Sequence, residues 1–193
     1  MGRQAGGADP GGGDLLVVFR ETKLPGAFVI ELQKYEDERG FFARSWCQAE
    51  FEARGLNPRT VQCNISFNKL KGTLRGMHYQ VAPCAEAKLV RCTRGAICDV
   101  IIDLRRESLT YKQHVSEVLS SNNYKALFIP EGFAHGFQTL EDDCEVFYQM
   151  SEFYSSEHQR GIRYNDPAFK INWPIKATVI SDRDSNYEDF REE

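Results

Sequence analysis

Arg75, His78, Lys88 and Arg91 stand close together in a chain whose formal net charge is −4. A second histidine, His135, follows in the stretch PEGFAHGF. Imidazole exchanges protons near neutrality, so His78 is a candidate base. Lysine and arginine beside it suit an anion, either a bound phosphate or an oxyanion forming in a transition state. The combination points to proton transfer on an anionic substrate. A hydrogen-bonded core histidine is the competing reading for His78 taken alone.

The elements that must position these residues are short strands. Phe28–Leu32, Phe41–Trp46, Thr60–Phe67, Lys88–Thr93, Ala96–Leu104, Lys112–Leu119 and Ala126–Ile129 all read as strands, with turn residues between them. Gly136–Leu140 and Cys144–Met150 read as a hairpin across Glu141-Asp142-Asp143. Cys47–Arg54 is the best helix, with Gly55 as its stop. Many short strands and few helices predict an all-β domain, a jelly-roll sandwich or barrel, over residues 15–175. The glycine-rich segment 1–14 lacks the apolar surface to offset its chain entropy and is expected to be a mobile tail. Residues 176–193 turn polar and are expected to form an extended or short helical C-terminal segment.

Strand geometry raises two difficulties. Arg75 and His78 differ by three, so a regular strand sends them to opposite faces. A bulge at Gly72 or Gly76 would bring them together. Lys88 and Arg91 cannot both face inward either, and on pattern alone Lys88 reads as the charged rim of a strand. Tyr148 faces opposite to Phe147, as a core aromatic or as an acid facing the His78 cavity. Asp184 reads by itself as a surface charge. A metal-binding barrel of this type would want a second histidine two residues after His78, plus a carboxylate. That position is Gln80, and Glu86 lies too far on, so the ligand set is incomplete.

The 193 residues suffice for one full core. The charge balance argues against a nucleic-acid binder. No apolar run approaches the length of a membrane span, and no signal pattern opens the chain, which implies a cytoplasmic protein. The six cysteines, without a CxxC pair, read as structural thiols.

The stretches LRGMHYQ, AKLVRCTRG, DVIIDLR, PEGFAHGF, VFYQMSEFY, GIRYNDPAF and INWP occur in that order, across about residues 20–184. In them the chain resembles the dTDP-4-dehydrorhamnose 3,5-epimerases. The resemblance implies a cupin jelly roll acting as a homodimer, with no metal or organic cofactor. It implies epimerisation at C3 and C5, beside the C4 ketone of dTDP-4-dehydro-6-deoxyglucose. His78 then resembles the base, Asp184 the carboxylate that orients it, Tyr148 the acid on the far face, and Lys88 the cation at the enolate oxygen. Arg75 resembles a substrate-binding cation, and His135 and Tyr154 further residues of the same cavity. Arg39, Phe42, Gln62 and Asn64 resemble nucleotide contacts, with part of that pocket coming from a partner subunit, and the C-terminal segment is expected to pack on the site. Arg44 stands where many members carry a glutamate. A single-centre epimerase, a metal-dependent cupin and a non-catalytic sugar-nucleotide binder on the same fold are the alternatives.

Overall fold

The computed structural model describes residues 16–191. The expected tail, residues 1–14, lies outside the described residues. Thirteen strands and two short helices follow one another among them. The strands are β1 (Val17–Glu21), β2 (Phe28–Leu32), β3 (Tyr35–Asp37), β4 (Gly40–Phe42), β5 (Gln62–Asn68), β6 (Leu74–Gln80) and β7 (Lys88–Arg94). Then come β8 (Ala96–Asp103), β9 (His114–Ser120), β10 (Ala126–Ile129), β11 (Phe133–Thr139), β12 (Cys144–Met150) and β13 (Gln159–Gly161). The helices are α1 (Gln48–Glu52) and α2 (Asp182–Ser185).

Two antiparallel sheets form the sandwich. One runs β1-β2-β10-β7-β12-β5 and the other β13-β6-β11-β8-β9, while β3 and β4 make a separate hairpin. Between the sheets lies a core drawn from both, including Val29, Val90, Leu127 and Val146 from one and Ile97, Ile101, Phe133 and Phe137 from the other. The second sheet is covered on its outer face too. There Val100 and Ile102 pack with Met77, Ile162 and Phe169. Strand β8 is therefore buried along its whole length, which its continuous apolar run foretells.

Helix α1 is far too short to hold itself together. It stays because Phe51 is buried, with ring centroids 4.9 Å from Phe19 and 5.5 Å from Phe128. The chain leaves it through Gly55 at φ +67°.

One expectation fails. β11 and β12 exist, but they do not form a hairpin. β11 pairs with β6 and β8, and β12 pairs with β5 and β7. The four-residue link crosses from one sheet to the other. It is held from outside, where the Lys71 N–H donates to Asp142 Oδ1 and the Asp143 N–H to the Lys69 carbonyl. A short polar turn makes two strands neighbours in space without placing them in one sheet.

Candidate active site

β6 carries two of the candidate residues and is bulged. His78 pairs with His135 and Arg75 with Phe137, so three steps on β6 match two on β11. The extra residue turns Arg75 and His78 to the same side, and both line one cavity of about 370 Å³. Gly76 makes this possible. It sits at φ +117°, and a Cβ there would lie 2.5 Å from Gly136 Cα.

Asp184 reaches His78 from the C-terminal segment. Its Oδ1 lies 2.7 Å from His78 Nε2, and its Oδ2 accepts from the Gly76 N–H at 3.1 Å. The Ser181 hydroxyl accepts from the Asp184 N–H and caps α2. Only 4% of Asp184 is exposed, so the surface-charge reading is wrong. Burial is the largest single influence on its carboxyl and pushes its pKa up. The hydrogen bond and charge of His78, then Gly76 and Ser181, outweigh it and hold the group below the usual carboxylate range.

A second pair lies alongside. His135 Nε2 is 2.7 Å from Asp99 Oδ1, and Asp99 on β8 is fully buried. Lys88, at the start of β7, is buried as well, with its ammonium 2.7 Å from Glu86 Oε1. The rim expectation for Lys88 therefore fails. β7 is an interior strand, and Glu86 makes burial of the lysine tolerable. Arg91 faces elsewhere and donates to the Ser45 carbonyl. Arg75 donates from Nε to Asn68 Oδ1 at 2.7 Å. Among the described residues no carboxylate pairs with it.

Tyr148 looks into the cavity from β12, on the sheet opposite His78. Burial pushes its phenol pKa up, and Glu86 adds to that, while Arg75 pulls it down. A neighbouring cavity of about 250 Å³ shares His78, Lys88 and Tyr148 and is lined also by Gln62, Asn64 and Tyr154. Tyr154 donates its hydroxyl to Gln159 Oε1 at 2.6 Å.

Chemically, the two cavities bring together an imidazole, one buried ammonium, the exposed guanidinium of Arg75 and, on the opposite wall, a phenol. Among the described residues no group of three or more His, Cys, Asp or Glu side chains is arranged to hold a metal ion. The Gln80 amide donates to the Cys84 and Phe153 carbonyls and so braces two loops.

The profile of the dTDP-4-dehydrorhamnose 3,5-epimerase family matches residues 21–192. The chain belongs to that family. A 3,5-epimerase of Methanothermobacter thermautotrophicus is 44% identical over 177 residues, which is 90% of this chain and 95% of that one. The crystal structure of the Bacillus anthracis 3,5-epimerase, with TDP and PPi bound, matches with a TM-score of 0.86 at 38% identity, over 91% of this chain and all of that one. A 3′-monoepimerase from Streptomyces bikiniensis, in complex with dTDP-quinovose, matches at 0.80 and 28% identity, over 87% and 85%. The architecture is the cupin-like one of these epimerases.

Two residues singled out by the family resemblance lie away from the cavity. Arg39 and Phe42 stand on the β3–β4 hairpin, where the Arg39 guanidinium pairs with Asp37 and Phe42 is 64% exposed. Arg44 lies 3.4 Å from Glu50 of its own chain. Asp99 went unselected in the sequence, although a carboxylate inside the apolar run CDVIID is unusual enough to be a signal. Of the six thiols, Cys92, Cys98 and Cys144 are buried, and Cys63 is exposed, against the expectation for it. No helix among the described residues is long and apolar enough to cross a membrane.

Proposed function

We propose that this chain epimerises C3 and C5 of dTDP-4-dehydro-6-deoxyglucose to give dTDP-4-dehydrorhamnose. One observation carries the reading beyond the family name: His78 and Tyr148 line one cavity from opposite sheets. A carbon held between them can lose a proton to one wall and regain one from the other. That exchange inverts it.

The hydrogen beside the C4 ketone is acidic because its loss gives an enolate. His78 Nε2 is held by Asp184, so Nδ1 is the nitrogen that takes the proton. The C–H electron pair becomes the new C=C bond, the C4=O4 π pair moves onto O4, and the Lys88 ammonium stabilises that oxygen. Asp184 stabilises the imidazolium, as carboxylates do in other His–Asp pairs. The enolate then collapses and takes the Tyr148 proton on the opposite face. The raised phenol pKa keeps Tyr148 protonated until that moment. Solvent restores both side chains, and no electrons are gained or lost overall. A second cycle at the other carbon completes the reaction.

Arg75 binds the anionic end of the substrate, His135 lines the sugar cavity, and Gln62, Asn64 and Tyr154 line the adjoining nucleotide pocket. A second copy supplies Arg39 and Phe42, which explains their exposure on the hairpin. The working form is thus a homodimer with a shared nucleotide pocket.

The reaction in deuterium oxide tests this. Label is expected at both C3 and C5 of the product. Label at one carbon alone would make the chain a single-centre epimerase, and no label would exclude epimerisation. Tyr148→Phe should keep exchange at the first carbon while inversion falls steeply.

A further inference from the structure

We propose that Tyr187 is a positioning residue whose ring, seated in a notch left open by Gly161, holds the C-terminal segment so that Asp184 stays on His78. The proposal rests on the reading of His78 and Asp184 as the working pair.

The notch is specific. Gly161 on β13 lies directly opposite His78 in the register of β13 and β6. A Cβ at Gly161 would fall 2.0, 2.2 and 2.5 Å from Cζ, Cε2 and Cε1 of Tyr187. Unlike Gly76, Gly161 does not sit at positive φ, so what glycine provides there is space. The ring that fills this space has its centroid 6.3 Å from that of His78, at 72°. Its hydroxyl is buried, and Tyr187 lines neither of the two cavities that hold His78. The residue therefore abuts the base without lining either of its cavities.

Asp184 needs such help. It is 106 positions from His78 in sequence and sits in a single helical turn with no stability of its own. The segment is tied upstream, where the Leu74 N–H donates to the Val179 carbonyl and the Thr178 N–H to the Gly72 carbonyl. Downstream, Phe190 packs on Phe169 at 5.1 Å and Arg163 pairs with Asp189. Between those ties, Tyr187 follows Asp184 by three residues and docks on the same strand pair. Removing its ring leaves Asp184 on a slack stretch, and misplacement by about 1 Å can cost on the order of 10²-fold in rate.

The test compares Tyr187→Ala, Tyr187→Phe and Gly161→Ala, each alone and combined with Asp184→Asn, by kcat and KM on dTDP-4-dehydro-6-deoxyglucose. Gly161→Ala evicts the ring with one added carbon and serves where Tyr187→Ala folds poorly. Tyr187→Ala and Gly161→Ala should each lower kcat by about tenfold or more with KM nearly unchanged, and Tyr187→Phe should keep the wild-type rate. With Asp184→Asn present, neither should lower kcat further. Wild-type kcat in both, or an undiminished loss on top of Asp184→Asn, overturns the proposal. Wild-type kcat in Asp184→Asn itself overturns the pair on which it rests.

Discussion

Two histidine–aspartate pairs face each other across β6 and β11, and they are built differently. Each has Nε2 at 2.7 Å from a carboxylate oxygen. Asp99 comes from the strand next to His135, within one continuous sheet, and is fully buried. Asp184 comes from a loosely structured segment near the far end of the chain, and His78 keeps 31% of its side chain exposed against 11% for His135. A pair made within a sheet is rigid and adds to the core. A pair made across elements depends on how its partner docks, and of the two rings that line the cavity His78 is the more open. Identical hydrogen bonds can thus rest on different supports.

That contrast breaks most readily at the histidines. His78→Ala should lower kcat by about 10²–10⁴-fold and abolish deuterium exchange, whereas His135→Ala should cost distinctly less. Equal losses would mean that both rings act as bases. The aspartates sharpen the point in opposite directions. Asp184→Ala should cost on the order of 10²-fold in kcat with a small change in melting temperature. Asp99→Ala should lower stability by about 1–3 kcal/mol, because it strands a buried imidazole, while kcat falls less. Denaturant melts beside steady-state kinetics would show whether the two effects separate.

A smaller effect comes from Asp103, at the end of the same β8 that carries Asp99. Burial is the largest influence on its carboxyl and pushes it up, but bonds from Arg105, Ser108 and Thr110 outweigh burial and bring it down to about 2. A folded pKa below the unfolded value of ~3.9 adds stability that is complete above that value and lost as pH falls through the folded one. The contribution is about 2 kcal/mol, fading between about pH 4 and pH 2. Asp103→Asn should flatten the acid limb of the stability curve in that window, and Asp184, also held low, should leave a residual slope.

Most strands of the two large sheets were legible in the sequence, because alternation and turn residues act locally. Strands β1, β3 and β13 were not, and the strand expected over Phe41–Trp46 ends at Phe42. Nor was sheet membership legible. β11 and β12 carry every local mark of a hairpin, yet each satisfies its backbone with strands from elsewhere. The site was legible where a residue type is chemically unusual, as at His78, and through the resemblance. It was illegible where the cause is distant. Lys88 looks like a rim charge until Glu86 is seen beside it, Asp184 looks solvated until the C-terminal segment docks, and Tyr187 has meaning only against Gly161.

The six-stranded sheet has a consequence for how the molecule is made. β10 lies between β2 and β7, so Phe28 must find Phe128 before that sheet exists. Closing a loop of that size comes before any reward from the contacts it brings, which places folding among the slow, non-local β topologies, in the millisecond-to-second range of ~10⁻³–1 s. Until β10 arrives, β2 and β7 each present an open apolar edge. The chain is most exposed to association with other copies during that interval, well before a cavity exists for a substrate to enter.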